Sequence, residues 1–294
     1  MYKVSEKFRR FALLMKYLRL SLINFSSDNI KVQQDICPVS TLFSDQLNEL
    51  RNLKTIAMTS NGLILCRSLP HLVDAGLTHL NLSLDTLKEE KFEFMTRRKG
   101  WKNVWRCLEM SEHIFKPLKI NCVVMKDLND DELCDFVNLT EKRNLDVRFI
   151  EYMPFDGNKW NQSNLVPFKA MLSVITEKFG PLQSLSNGLN QTSKAYKVPN
   201  FLGRIGFITS MSDHFCMSCN RLRLTADGNL KVCLFGNNEV SLRDALRKHL
   251  PEKDLISLIS DSVKRKHKQH AGTNVLNTIH KPAEFKISYS LDSN

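Results

Sequence analysis

Three thiols are spaced for metal chemistry. Cys216 and Cys219 form a C-x-x-C pair, and Cys233 follows Cys219 after thirteen residues. The stretch from 215 to 236 reads FCMSCNRLRLTADGNLKVCLFG. Its middle, Thr225-Ala226-Asp227-Gly228-Asn229, holds turn residues, with Gly228 free to take positive φ. A hairpin is predicted, with a second strand over 230–234 that returns Cys233 to the pair. Two metals suit such a site. Zinc closes with four ligands, and His214 would complete a Cys3His set. Three thiolates on an iron–sulfur cluster leave one iron open to another ligand, which suits a site that binds substrate. Buried cysteines with no metal are the third reading, but a polar hairpin with two arginines makes a poor core segment.

Arg221 and Arg223 stand at i and i+2 on the first hairpin strand, so both point to one face. Their planar donor forks match phosphate or a guanine edge.

These residues need a scaffold, and the rest of the chain supplies one. Its 294 residues suffice for one large or two small domains, and 42% hydrophobic with 25% charged residues is globular composition. The formal charge of +11 favours polyanionic partners, a nucleoside triphosphate, nucleic acid or an acidic surface, without choosing among them. Eight cysteines are too sparse for a disulfide scaffold and point to a reducing compartment, mitochondrial matrix or cytoplasm, rather than secretion. The basic start of the chain (Lys3, Lys7, Arg9, Arg10, Lys16 and Arg19 against Glu6) has the charge of a transit peptide but runs into a strand-like pattern. Apolar runs stay too short for a membrane-spanning helix.

Residues 17–23 (YLRLSLI) read as a strand, and residues 24–44 as a loop ahead of a short helix over 45–51. From Lys54 onward strands and helices alternate. Strands are predicted at 54–59, 79–84, 119–125 and 147–152. Helices are predicted after Gly62 to about Ala75, and over 101–113, 130–143 and 167–179. That alternation means βαβ units, right-handed crossovers and a parallel sheet, with ligands at the carboxyl ends of its strands. Thr59, Ser83, Asp85, Lys126 and Met153 occupy such ends. Residues 182–197 read as a loop, 203–209 as a strand, and 241–250 and 255–264 as helices. The basic run 264–268 reads as a solvated helix end.

Taken together, TIAMTSNG, LNLSLDTL, VRFIEYMPFDGNKW and the cysteine hairpin resemble the molybdenum cofactor biosynthesis protein A family, the radical S-adenosylmethionine enzymes called GTP 3′,8-cyclases. The resemblance covers residues 17–23 and then about 51–272. It implies an α/β fold: an incomplete radical-SAM-type (β/α) barrel with a C-terminal iron–sulfur extension. The parts would be an atypical N-terminal segment with one barrel strand (1–52), a partial barrel (53–200), a cluster and GTP region (201–272) and a divergent tail (273–294). It further implies a [4Fe–4S] cluster on Cys216, Cys219 and Cys233. GTP would meet Arg19, Thr59, Lys119, Arg221, Leu222 and Arg223, and S-adenosylmethionine would meet Ser83 and Met153. On that reading the metal is iron.

The chain also departs from the family. The C-x-x-x-C-x-x-C that seats the radical-generating cluster belongs directly after YLRLSLI, where this chain has only Cys37, and the motif occurs nowhere else in it. The G-G-E-P segment is missing too. The expectation is a chain that keeps the GTP half of the site and does not cleave S-adenosylmethionine alone, because the cofactor carries that chemistry. Two other readings stand beside it. One is a non-catalytic GTP- and cluster-binding partner of a full-length subunit, or a homodimer. The other, ranked lower, is a zinc-bearing nucleic-acid module. With a barrel strand missing, residues 17–23 and 54–59 become neighbours or unpaired edges, a route to aggregation.

Overall fold

The computed structural model describes residues 22–25, 29–34, 54–154, 160–186, 188, 191–213, 221–225, 227–233 and 239–265. The sheet begins with β1 (Leu22–Phe25), β2 (Asn29–Gln34), β3 (Thr55–Ser60), β4 (His79–Ser83), β5 (Leu118–Val124) and β6 (Leu145–Glu151). It continues with β7 (Gln183–Ser184), β8 (Lys194–Lys197), β9 (Arg204–Ile208), β10 (Leu222–Thr225), β11 (Asn229–Lys231) and β12 (Glu239–Ser241). The strands lie in the order β12-β11-β10-β1-β2-β3-β4-β5-β6-β9-β8-β7. From β2 through β6 to β9 every neighbouring pair is parallel, and antiparallel strands extend both flanks. Among the described residues the sheet is open.

Alternation builds the core. Ile56 and Met58 on β3, Leu80 and Leu82 on β4, Leu118, Ile120, Cys122 and Val124 on β5, Leu145, Val147 and Phe149 on β6, and Ile205 and Phe207 on β9 are buried together. Helices cover that face: α1 (Leu65–Asp74), α2 (Glu89–Thr96), α3 (Trp101–Ile114), α4 (Leu133–Lys142) and α5 (Phe168–Phe179). All but α2 insert several buried residues at helical spacing, such as Leu65, Leu69 and Leu72 of α1 and Met171 and Ile175 of α5. α1 ends where expected: Gly76, at φ 95, follows the cap residue Ala75. Beyond β12 lie α6 (Leu242–Arg247) and α7 (Glu252–Lys264).

Several expectations change. Residues 24–44 are not all loop, for β2 falls inside them; Ile30 and Val32, read as isolated apolar residues, lie at alternate positions of that strand. β2 pairs in parallel with β3 and antiparallel with β1, so residues 22–25 and β3 are neither neighbours nor unpaired edges. Residues 182–197 contain β7 and β8, which pair antiparallel. α2 was not expected; polar Glu89, Glu90, Lys91 and Glu93 mask its one buried residue, Phe92. Residues 17–21, the helix expected over 45–51, and the tail from 266 onward lie outside the described residues.

Candidate functional site

The face of the sheet opposite the helices is polar. Thr59, Asn81, Lys119, Asp146 and Arg204 are successive Cα partners across β3, β4, β5, β6 and β9. Lys119 and Asp146 each sit between two core residues in sequence, so strand alternation turns them away from the core. Asn81 Nδ2 donates to Thr59 Oγ1 at 3.1 Å. Asp146 is buried, and its Oδ2 accepts from Arg148 Nη2 and from Arg204 Nη2, both at 2.8 Å. Burial alone would raise the Asp146 carboxyl; the two guanidinium groups outweigh it and hold the group below its ordinary value.

Arg148 and Arg204 thus share one carboxylate, and Lys119, whose Cα lies opposite Asp146, adds a third cation beside it. Burial brings the Lys119 ammonium down to about 8, with Arg148 pressing the same way. His79, two residues before Asn81 on β4, is lowered by burial and then by Lys119 and Arg148. Arg148 Nε and Arg204 Nε are buried without a partner among the described residues. Buried donors of this kind are costly unless something accepts from them, and an anionic ligand does so.

Ser83 ends β4 and borders an open cavity of about 400 Å³ shared with Asn61, Asp85, Thr86 and Arg98. Asp85 Oδ1 accepts from the Val123 N–H at 2.8 Å, and burial raises its carboxyl to about 6 against that bond. The next turn is tied down by buried Glu132, which accepts from Thr86 Oγ1 at 2.8 Å and from the Leu87 N–H at 2.7 Å. Lys91 completes an ion pair with Glu132 at 2.9 Å.

At the carboxyl end of β6, Glu151 is fully buried and Met153 lies two residues on, also buried. Glu151 accepts from the backbone N–H groups of Phe168 at 2.8 Å, Met211 at 2.7 Å and Ser212 at 2.9 Å. It therefore fixes the turn that leads toward Cys216. Lys126 is exposed, with its N–H on the Asn164 carbonyl at 3.0 Å.

The hairpin forms as expected at its turn, where Gly228 has φ 84 and its N–H donates to the Thr225 carbonyl at 3.0 Å. Its second strand is shorter than predicted: β11 ends at Lys231, and half-buried Cys233 lies beyond it. A third strand, β12, pairs on β11 instead. Arg221 precedes β10 and Leu222 opens it, while Arg223 is buried with its Cα opposite Asn24 of β1. Cys216, Cys219, His214 and Arg19 lie outside the described residues. Among the described residues no three metal-ligating side chains converge, so of the thiol site only Cys233 is placed.

The structure therefore brings Thr59, Ser83 and Lys119 onto adjacent strands, as Thr59 and Lys119 both flank Asn81 and Ser83 lies two residues farther along β4. Sequence reading passed over Asn81, Asp146, Arg148 and Arg204. The signal was present: Asp146 and Arg148 alternate with Leu145, Val147 and Phe149, and charges at those positions of a buried strand must face a site.

Among the described residues no helix is long and apolar enough to cross a membrane. Comparison with known proteins gives the family. Residues 25–140 match the Radical SAM superfamily, and residues 145–272 match Molybdenum Cofactor Synthesis C. The chain is 48% identical over 268 residues to molybdenum cofactor biosynthesis protein 1 of Drosophila melanogaster, covering 91% of this chain and 47% of that protein. It is 47% identical over 239 residues to an Arabidopsis thaliana protein named GTP 3′,8-cyclase, mitochondrial, covering 81% and 61%. Against a GTP 3′,8-cyclase of Desulforamulus reducens it is 37% identical over 218 residues, covering 73% and 67%. The chain thus spans about half the length of its Drosophila relative. An open α/β sheet with a parallel centre, a polar face bearing three cations, and these matches agree: the chain belongs to the molybdenum cofactor biosynthesis protein 1 / GTP 3′,8-cyclase family.

Proposed function

We propose that this chain serves molybdenum cofactor biosynthesis by binding GTP on the polar face of its sheet, and that alone it does not cleave S-adenosylmethionine. The carrying observation is the cation group Lys119, Arg148 and Arg204, which faces a single carboxylate and keeps two buried guanidinium N–H groups unpaired. A triphosphate neutralises that charge and accepts those hydrogen bonds. Thr59 and Asn81 extend the row, and Arg221, Leu222 and Arg223 with Arg19 bring the remaining family contacts.

Cys233 would hold a [4Fe–4S] cluster together with Cys216 and Cys219. Three thiolates leave one iron with an open position, and a cluster bound this way supplies a Lewis-acidic seat for a purine edge. The chain's own groups then do the orienting: the cations fix the phosphates, and Glu151 fixes the turn before the cysteines. Ser83 and Met153 border the S-adenosylmethionine side. The radical-generating cluster does not fit this chain, because no C-x-x-x-C-x-x-C exists to seat it. That absence favours a second reading, a GTP-binding partner of a full-length subunit or of a second copy. The thiols of Cys66, Cys107, Cys122, Cys134 and Cys233 are free, which suits a reducing compartment such as the mitochondrial matrix.

The test is iron, acid-labile sulfide and zinc per chain after anaerobic reconstitution, followed by GTP titration. About four irons and GTP binding that is lost in Lys119→Ala and in Arg221→Ala/Arg223→Ala are expected. Zinc in place of iron, with salt-dependent RNA or DNA binding, would move the function to a nucleic-acid module. Production of 5′-deoxyadenosine by the purified chain would overturn the claim of inactivity.

A further inference from the structure

Beside the row from Thr59 to Arg204 runs a second one. Ser83, Asn121, Arg148 and Gly206 are successive Cα partners across β4, β5, β6 and β9, two residues farther along each strand. Asn121 alternates with the buried Ile120 and Cys122, so it faces away from the core, as Arg148 does. At the end of this row the backbone has no side chain, and Ser193 fills the place: a Cβ on Gly206 would stand 2.1 Å from Ser193 Oγ. Ser193 is itself buried.

Three polar atoms of these two rows, Asn121 Oδ1, Arg148 Nε and Arg204 Nε, and Ser193 Oγ beside them are buried without a partner among the described residues. A fold rarely strands several polar atoms on or beside adjoining strands of one sheet, and a ligand resolves the deficit. Their types describe that ligand. The guanidinium Nε–H groups only donate, so they require acceptor oxygens. The Asn121 carbonyl only accepts, so it requires an O–H or N–H, and the serine hydroxyl serves either way. A hydroxyl adjoining anionic oxygens answers all four, which is the chemistry of a sugar phosphate.

We propose that Asn121 and Ser193 bind a ribose hydroxyl, and that Gly206 is required because any side chain there displaces Ser193. The assignment rests on the nucleotide reading above, with Arg148 and Arg204 on the phosphates. A ribose hydroxyl belongs both to GTP and to S-adenosylmethionine. The neighbouring cations favour GTP, and the experiment separates the two.

Isothermal titration of the purified full chain with GTP, 2′-deoxy-GTP and 3′-deoxy-GTP is the test. The wild-type chain is expected to prefer GTP to one deoxy analogue by about tenfold, the worth of one good buried hydrogen bond. Asn121→Ala and Ser193→Ala are expected to bring the two nucleotides within about twofold of each other by removing that bond. Gly206→Ala is expected to behave as Ser193→Ala does. Ser193→Ala removes a single hydroxyl and carries the test if Asn121→Ala does not fold. Unchanged preference in both variants overturns the ribose assignment and leaves GTP binding intact. Should the wild-type chain ignore GTP but prefer S-adenosylhomocysteine to its 2′-deoxy analogue, with the preference lost in Asn121→Ala, the hydroxyl contact stands and belongs to the other nucleoside. Binding of neither ligand overturns both the contact and the nucleotide reading.

Discussion

Glu151 and Ser212 are joined although they lie sixty-one positions apart in the chain: the Ser212 N–H donates to Glu151 Oε2 at 2.9 Å. The same oxygen accepts from the Met211 N–H at 2.7 Å, and Oε1 takes the first N–H of α5 from Phe168 at 2.8 Å. One buried carboxylate therefore joins the end of β6, the start of a helix and the turn that precedes the cysteine pair. Glu151→Ala leaves all three N–H groups without an acceptor and is expected to cost about 3–5 kcal/mol. Glu151→Gln keeps one acceptor oxygen and is expected to cost about 2 kcal/mol. Urea unfolding measures both. Hydrogen exchange should quicken at Met211 and Ser212 in Glu151→Gln before any other described strand loosens; uniform quickening would deny the local role.

Lys119 would give the proposed nucleotide site a pH limit. Its ammonium is lowered to about 8 by burial and by Arg148. A folded-state pKa below the unfolded value near 10.5 costs stability at neutral pH, and that cost is relieved as pH rises from about 8 toward 10.5. Binding runs the opposite way, because the phosphate needs the charged form. GTP affinity is expected to hold steady from pH 6.5 to 7.5 and to fall severalfold by pH 9. Lys119→Arg, which stays charged, should flatten the profile. Titration at pH 7, 8 and 9 decides, and an equal fall in both proteins would remove Lys119 as the cause.

Asp85 makes a separate, acid-side prediction. Its carboxyl is raised to about 6 by burial, against the Val123 N–H bond. The folded state therefore holds a proton more tightly than the unfolded chain. The resulting stabilisation is full near pH 4 and is lost as pH rises through 6. Asp85→Asn keeps an acceptor for Val123 and carries no charge, so it should stabilise the chain above pH 6. The gain is about 1–2 kcal/mol, less than the full shift because the cavity opens to solvent. Melting curves at pH 4 and pH 8 check this: the variant should gain at pH 8 and little at pH 4.

Much of this was legible from residue patterns, for stated reasons. Strands β3 to β6 and β9 announce themselves because their apolar residues alternate, or run together, between helices of clear period. β2 did not, because Asn29, Lys31, Gln33 and Gln34 outnumber its two apolar residues, and pairing on both sides makes it a strand. β8 hid likewise in Lys194-Ala195-Tyr196-Lys197 and is held by β9. In the site, Thr59 and Ser83 were legible as carboxyl ends of strands, and Lys119 was reached through resemblance. Asp146 and Arg148 were readable as charges on a buried strand. The Ser193–Gly206 contact was not readable, since it joins residues thirteen apart through a close approach that only coordinates reveal.

The pairing of β1 and β2 decides how the chain behaves in solution. β1 pairs along Asn24↔Arg223 with β10, β2 pairs along Gln33↔Thr59 with β3, and the two pair with each other. Together they connect the arginine hairpin to the parallel sheet. Deleting residues 22–34 would expose the backbone of β3 on one side and of β10 on the other, and exposed edges recruit other chains. The deletion variant is expected to elute as aggregates in size-exclusion chromatography with light scattering, and to lose the cooperative melt. It should also lose the GTP dependence on Arg221 and Arg223, because β10 no longer lies in one sheet with Lys119. A charged residue on each new edge (Ala57→Lys on β3 and Leu222→Lys on β10) should restore solubility without restoring that dependence. A soluble deletion variant that still binds GTP through Arg221 and Arg223 would mean that the hairpin reaches the nucleotide by a route other than β1 and β2.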